Sequence, residues 1–345
     1  KIDALNVEPC RKVIQDAFEQ NITHAPGMEH VREMVTGPII PTPGAVMECT
    51  KLLYEYLGDL IVLDVGGATT DLHSVTVESD QVARLMISPE PKAKRTVEGD
   101  LGVYVNRWKV VESIGEEKLR EQCREQGFSM EHALETYRAI PKTEEEVKLV
   151  ELLTREAVVK AAERHAGRLR YIYGPSGRST VAEGKDLTQV KYIVGTGGAL
   201  TRLPHREEIM REITRCNESG MLLLPGEHAQ ILVDHDYIMA SLGVLSKRYP
   251  QAAARLLEQS LGMTFPERKA EEPVPVCNKE LSRLETQRQQ REEELQRHIE
   301  ECEAMGYDMS AYRENRPKAG DCSHECSRCT RLHCPNRTTQ EGASS

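Results

Sequence analysis

At 345 residues the chain is long enough to bury a sizeable core, and its length suggests about two domains. A formal net charge of −10, with no basic stripe to offset it, argues against a nucleic-acid binder. No apolar run approaches the roughly twenty residues needed to cross a bilayer, and no secretory leader is visible.

Residues 3–57 read as mostly helical, closing with a helix from Pro43 to about Tyr56. Thr42 is expected to cap that helix, with Pro43 in its first position. The apolar run Leu60-Ile61-Val62-Leu63 then ends in Asp64-Val65-Gly66-Gly67-Ala68-Thr69-Thr70-Asp71. The chain resumes as Leu72-His73-Ser74-Val75-Thr76-Val77, which alternates like a half-exposed strand. Two strands around a Gly-Gly-Ala-Thr-Thr turn predict a tight hairpin, its glycines permitting φ > 0 and close backbone approach. Consecutive N–H groups in such a turn form a phosphate-sized nest. Asp64, at the strand end, is placed to hold a hydrated Mg²⁺ or to orient a water. An ordinary hairpin with a solvated turn is the plain alternative, but the flanking acids and paired threonines exceed what a turn requires.

Further on, Val82 to Ile87 reads as a strand, and Arg95 to Gly102 as a polar, glycine-bearing loop. Helices are expected at about 116–126 and 130–138. A longer helix begins at Thr143, which makes a capping box with Glu146 and carries the apolar stripe Val147, Val150, Leu152, Leu153 and Val158. Tyr171 to Ile193 is strand-like, with Gly174 to Gly177 as a turn. The run Val190-Lys191-Tyr192-Ile193-Val194-Gly195-Thr196-Gly197-Gly198-Ala199-Leu200 predicts a strand and a Gly-rich turn, opening toward a helix near Pro204. Three glycines there leave a flat surface for a purine and ribose, with a helix N-terminus near the phosphates. Helices follow at about 207–216, over 234–249 with Ala240 and Gly243 allowing close approach, and at 250–261. Strands alternating with helices argue an α/β fold with a mixed sheet flanked by helices.

Beyond Gly262 the composition changes. Residues 263–277 form a proline-marked linker, 278–310 a charged helix with a weak apolar stripe, and 311–345 a Cys-rich tail. In the tail, Cys322, Cys326, Cys329 and Cys334 can converge on one ion or cluster, with His324 and His333 as substitutes. Tetrahedral zinc and an iron–sulfur cluster are both open. The remaining cysteines are scattered singles, read as reduced thiols, which points to the cytoplasm.

A hairpin of the form Asp-x-Gly-Gly-x-Thr followed by a Gly-Gly turn resembles the actin, sugar kinase and heat-shock chaperone ATPase superfamily. More narrowly, Asp64 to Val75, Arg95 to Gly102, Gly195 to Leu200 and Asp236 to Ala240 resemble the MutL-type accessory proteins of glutamate mutase. Those are ATPase-like companions of adenosylcobalamin-dependent carbon-skeleton mutases. The resemblance covers about residues 3–262 and implies an actin-like (ribonuclease H-like) ATPase lobe, ATP with Mg²⁺, and mutase subunits as partners. By that resemblance Asp64 and Asp71 would be the catalytic acids, and Gly66, Gly67, Ala68, Thr69 and Thr70 would meet phosphates. Gly195, Thr196, Gly197 and Gly198 would hold adenosine and ribose. Glu98 and Asp100 are further acids that could meet Mg²⁺ or a partner, or be salt-bridged beside Arg95.

The superfamily builds its site from two lobes, the first supplying an earlier Asp-x-Gly-Ser/Thr hairpin. No such motif precedes residue 60, and the chain opens on Lys1-Ile2-Asp3. The expectation is therefore a chain lacking its N-terminal lobe, with 1–57 the helical remainder of that lobe and 58–262 the second lobe. The expected function is an ATPase-like accessory that reactivates a cobalamin-dependent mutase. The alternatives are a small-molecule kinase of the same superfamily, or a non-hydrolysing scaffold that works through its tail.

Overall fold

A computed structural model describes residues 39–266, except 89, 175, 176 and 218, together with a few isolated positions before residue 39. All of these lie within the unit Lys1–Lys269. The expected linker beyond residue 266, the charged helix and the Cys-rich tail lie outside the described residues, as does most of the helical stretch before Thr42.

Helix α1 (Thr42–Leu57) has proline in its first turn, where a missing N–H costs nothing. Pro41 is its N-cap residue and the Thr42 hydroxyl makes no capping bond, so the expected threonine cap does not form. Five strands build the main sheet: β1 (Leu60–Val65), β2 (Thr70–Val75), β3 (Ala93–Glu98), β6 (Tyr192–Thr196) and β7 (Gln230–Val233), in the order β3-β2-β1-β6-β7. β1, β2 and β3 pair antiparallel, whereas β6 runs parallel to both β1 and β7. The remaining strands, β4 (Arg168–Gly174) and β5 (Gly177–Glu183), form a separate hairpin in which Gly174 pairs with Gly177.

β1 is apolar on both faces because both are covered. Ile61, Leu63 and Val65 enter the larger core, with α6 (Glu144–His165) and α7 (Gly197–Arg202); Leu60 and Val62 enter the smaller one, with α1 and α10 (Pro250–Leu261). The long helix α6 starts as its sequence dictates: Thr143 and Glu146 exchange both capping-box bonds, and the buried Glu146 carboxylate also takes Arg138 at 2.8 Å. Helices α3 (Arg107–Ile114), α4 (Glu116–Glu125) and α5 (Met130–Glu135) pack beside it. On the opposite side, α9 (Met239–Ser246) crosses α1 so closely that a Cβ on Gly243 would overlap the Ala45 carbonyl.

Three local expectations are corrected. Arg95 to Glu98 belongs to β3, paired residue for residue with β2, and not to a loop; its polar residues fit an edge strand that meets solvent. Residues 82–87 do not form a strand. Ser79 accepts the Val82 amide and caps a single helical turn, α2 (Asp80–Ala83), and only Met86 then bridges to Ala182. Helix formation after residue 234 begins at Met239, because Asp234 to Ile238 forms a turn, and the helix expected at 207–216 is α8 (Arg206–Arg211) with a 3₁₀ turn, Glu212–Thr214.

Candidate functional site

The sheet register places four residues in one transverse row: Asp71 on β2 opposite Asp64 on β1, Asp64 opposite Thr196 on β6, and Asp234 one step past Val233 on β7, beside Thr196. Thr196 donates its hydroxyl proton to the Asp234 carboxylate at 2.8 Å. The row lies at the C-terminal ends of three parallel strands, where α/β sheets commonly bind ligands. The two Gly-rich turns leave from adjacent strands of this row, so elements far apart in the sequence share one edge.

Their contact is direct. Gly197 opens α7 immediately after β6, rather than leading to a helix near Pro204. Its φ is +85°, and an added Cβ would stand 2.5 Å from Asp64 Oδ1 and 2.6 Å from the Val65 backbone. Only glycine fits there, for both conformation and space. Gly198 is exposed with open space above it. Gly195, by contrast, is buried against Met210, so its lack of a side chain serves packing.

The hairpin turn is held from behind. Gly66 N–H donates to the Thr69 carbonyl at 2.9 Å, and the Gly66 and Gly67 carbonyls accept the amides of Val103, Tyr104 and Val105 at 2.7–3.2 Å. Asn106 Nδ2 donates to the Ala68 carbonyl at 2.8 Å, and Gly102 lies so close to Ala68 that a Cβ would overlap it. The amides of Gly67, Ala68 and Thr69 take no part in these bonds, and Gly67 and Ala68 are exposed. Gly66 and Gly67 do not adopt positive φ, contrary to expectation; close approach to Thr69 and Tyr104 constrains them instead. Thr70 is buried and donates to the Leu101 carbonyl at 2.8 Å, so its side chain braces the hairpin. Thr69 remains at the turn, part-buried.

Crowded carboxylates leave an electrostatic signature. Burial, then the Asp234 charge, raises the Asp64 pKa to about 6. Burial, then Asp64, raises that of Asp71 to about 7, with Thr69 and Arg95 opposing the shift. Asp71 Oδ1 is buried without a hydrogen-bond partner among the described residues. Unsatisfied buried oxygens cost stability and call for an explanation.

Asp234 was not singled out from sequence, although Ile231-Leu232-Val233-Asp234 repeats the pattern in which β1 ends at Asp64. It is fully buried and accepts the amides of Ile238 and Met239 and the Ser260 hydroxyl at 2.5 Å, fixing the turn into α9. Glu98 and Asp100 both pair with Arg164 of α6, at 2.6 and 2.8 Å, which makes them ion-pair partners of that helix. No group of three or more His, Cys, Asp or Glu residues among those described is placed to hold a metal ion, and no described helix is long and apolar enough to cross a membrane. Cys322, Cys326, Cys329 and Cys334 lie outside the described residues.

Fold and site together define an α/β protein with a five-stranded mixed sheet flanked by helices, consistent with an ATPase lobe, whose two glycine turns meet at the carboxyl edge of the sheet. Comparison with known proteins sharpens that class. The chain belongs to the MutL family: the family described as MutL protein matches residues 1–261. It is 35% identical over 273 residues to Protein MutL of Clostridium tetanomorphum, an alignment covering 76% of this chain and 59% of that relative. The chain thus spans less than two thirds of that relative's length.

Proposed function

We propose that the chain is an ATP-binding accessory protein, acting as an ATPase in support of an adenosylcobalamin-dependent mutase such as glutamate mutase. The observation that carries the reading is the seating of Gly197 on Asp64, which joins the two Gly-rich turns around one row of acids. Family membership supports the mutase as partner.

The residues fit Mg²⁺ and a nucleoside phosphate in two respects. Gly197 brings the second turn against Asp64 with exposed, open space at the next residue, Gly198, and Asp71 holds a buried carboxylate oxygen still lacking a donor. Mg²⁺ keeps several waters and needs only one or two carboxylates plus phosphates, so a protein cage of ligands is not required. Bound Mg·ATP would supply a phosphoanhydride whose cleavage favours a different arrangement of the protein. Asp64 would hold a metal-bound water or orient an attacking one. The free amides of Gly67, Ala68 and Thr69 would receive phosphate oxygens, and Gly197 and Gly198 the nucleoside.

Titration calorimetry of the full-length protein with Mg·ATP tests this. Binding by the wild type and its loss in Gly197→Val are expected; a wild type that does not bind ATP ends the reading. ATP-dependent recovery of an inactivated mutase would then test the partner.

The tail is proposed to hold a metal through Cys322, Cys326, Cys329 and Cys334. Elemental analysis separates the options, one zinc per chain or iron with visible absorption, and a metal-free chain purified under reducing conditions removes the assignment. Free thiols at Cys49, Cys123 and Cys216 fit a reducing compartment, and the cytoplasm is the proposed location.

A further inference from the structure

Tyr237 sits in the turn between Asp234 and α9, and among the described residues it is the one non-glycine with positive φ, at +54°. The turn itself needs this conformation. The Tyr237 amide donates back to the Asp234 carbonyl at 3.1 Å, and the reversal lets the next two amides reach the Asp234 carboxylate. Glycine or asparagine would meet that need with less strain, since a bulky side chain in the left-handed region costs free energy. Nor does the ring fill the core, because Tyr237 is 51% exposed. Strain and exposure are thus both tolerated at a residue tied to the acidic row, since the Asp234 to which its amide donates bonds Thr196, the β6 partner of Asp64.

We infer that the Tyr237 ring forms a wall of the nucleoside part of the site, packing against the sugar and base of a nucleoside phosphate whose phosphates lie at the Gly67 turn. The inference rests on the nucleotide reading and extends it to a residue outside both Gly-rich turns. Aromatic rings suit this task because every base offers a flat face to stack on. The left-handed backbone presents a half-exposed ring beside the acidic row, three residues beyond Asp234.

The test uses the full-length protein, with Mg·ATP and inorganic tripolyphosphate as separate ligands in titration calorimetry. Tyr237→Gly, which relieves the backbone strain, should weaken ATP about tenfold. It should leave tripolyphosphate affinity unchanged and should not lower the thermal midpoint. Tyr237→Phe, which keeps the ring, should bind ATP like the wild type. Unchanged ATP affinity in Tyr237→Gly, or an equal loss for both ligands, overturns the inference while leaving the nucleotide reading standing. A lowered midpoint in that variant assigns the ring to structure and also overturns it. A wild type that binds neither ligand brings down the nucleotide reading, and this inference with it.

Discussion

On strand β2, Thr70 and Ser74 face α6 and have found partners: Thr70 donates to the Leu101 carbonyl at 2.8 Å, and Ser74 meets His165 Nε2 at 2.8 Å. The other ring nitrogen of His165 meets the Thr96 hydroxyl at 2.9 Å. Asp71 and His73 alternate with them and face the α1 side, equally buried. Yet Asp71 Oδ1 and both His73 ring nitrogens lack partners among the described residues. Burial holds the His73 ring neutral, down to a pKa of about 3, with the Arg95 charge adding to the effect. Structural polar groups in a core are satisfied, and those left wanting mark strain or a missing ligand. The α6-facing side chains of β2 therefore brace the scaffold. The α1 face, where Asp71 lines up with Asp64, carries buried polar atoms without partners among the described residues, at a cost in stability.

Breaking the comparison outright requires moving α1. Gly243→Val should push α9 off α1 at the Ala45 carbonyl and cost about 3 kcal/mol or more in urea unfolding. On the satisfied face, His165→Leu leaves the buried Ser74 hydroxyl and the part-buried Thr96 hydroxyl without their partner, for an expected loss of about 2 kcal/mol. A neutral outcome there would show that this network does not stabilise the scaffold.

Asp64→Asn should act in the opposite direction. The folded-state pKa values, about 6 for Asp64 and about 7 for Asp71, lie above those of an unfolded chain. Between roughly pH 4 and 7 the folded protein retains protons that the unfolded chain has released, so these groups lower stability as pH rises through that window. His73 and His165, with depressed values, act in the reverse sense over part of it, so the informative quantity is the difference between variant and wild type. That difference should grow from near zero at low pH to about 1–2 kcal/mol in favour of Asp64→Asn at pH 8, without nucleotide. A constant difference across pH would mean that Asp64 carries no burial penalty. Smallest of all, His73→Leu should change stability by under about 1 kcal/mol, since no hydrogen bond is lost. A large loss would reveal a partner for that ring.

Much of the scaffold, and the meeting of two elements of the candidate site, were legible in the residues. The apolar run ending at Asp64, the Gly-rich hairpin and the Thr143 to Glu146 capping box are set by nearest neighbours: backbone freedom, caps and alternation. β3 escaped notice because an edge strand half in water need not be apolar. Gly66 and Gly67 drew attention as flexible positions, while the turn that needs positive φ is at Gly197.

Local chemistry alone established that the runs ending at Asp64 and Thr196 and the segment after Thr69 would be strands, that Asp64 would stand at a strand end, and that two Gly-rich turns existed. It could not say that Thr70 would turn inward to Leu101, that Asp234 would join the row, or that Tyr237 would stand strained at its mouth. Those facts depend on register between strands far apart in the chain. Long-range pairing and packing fix that register, and only the folded sheet brings Asp71, Asp64, Thr196 and Asp234 into one line.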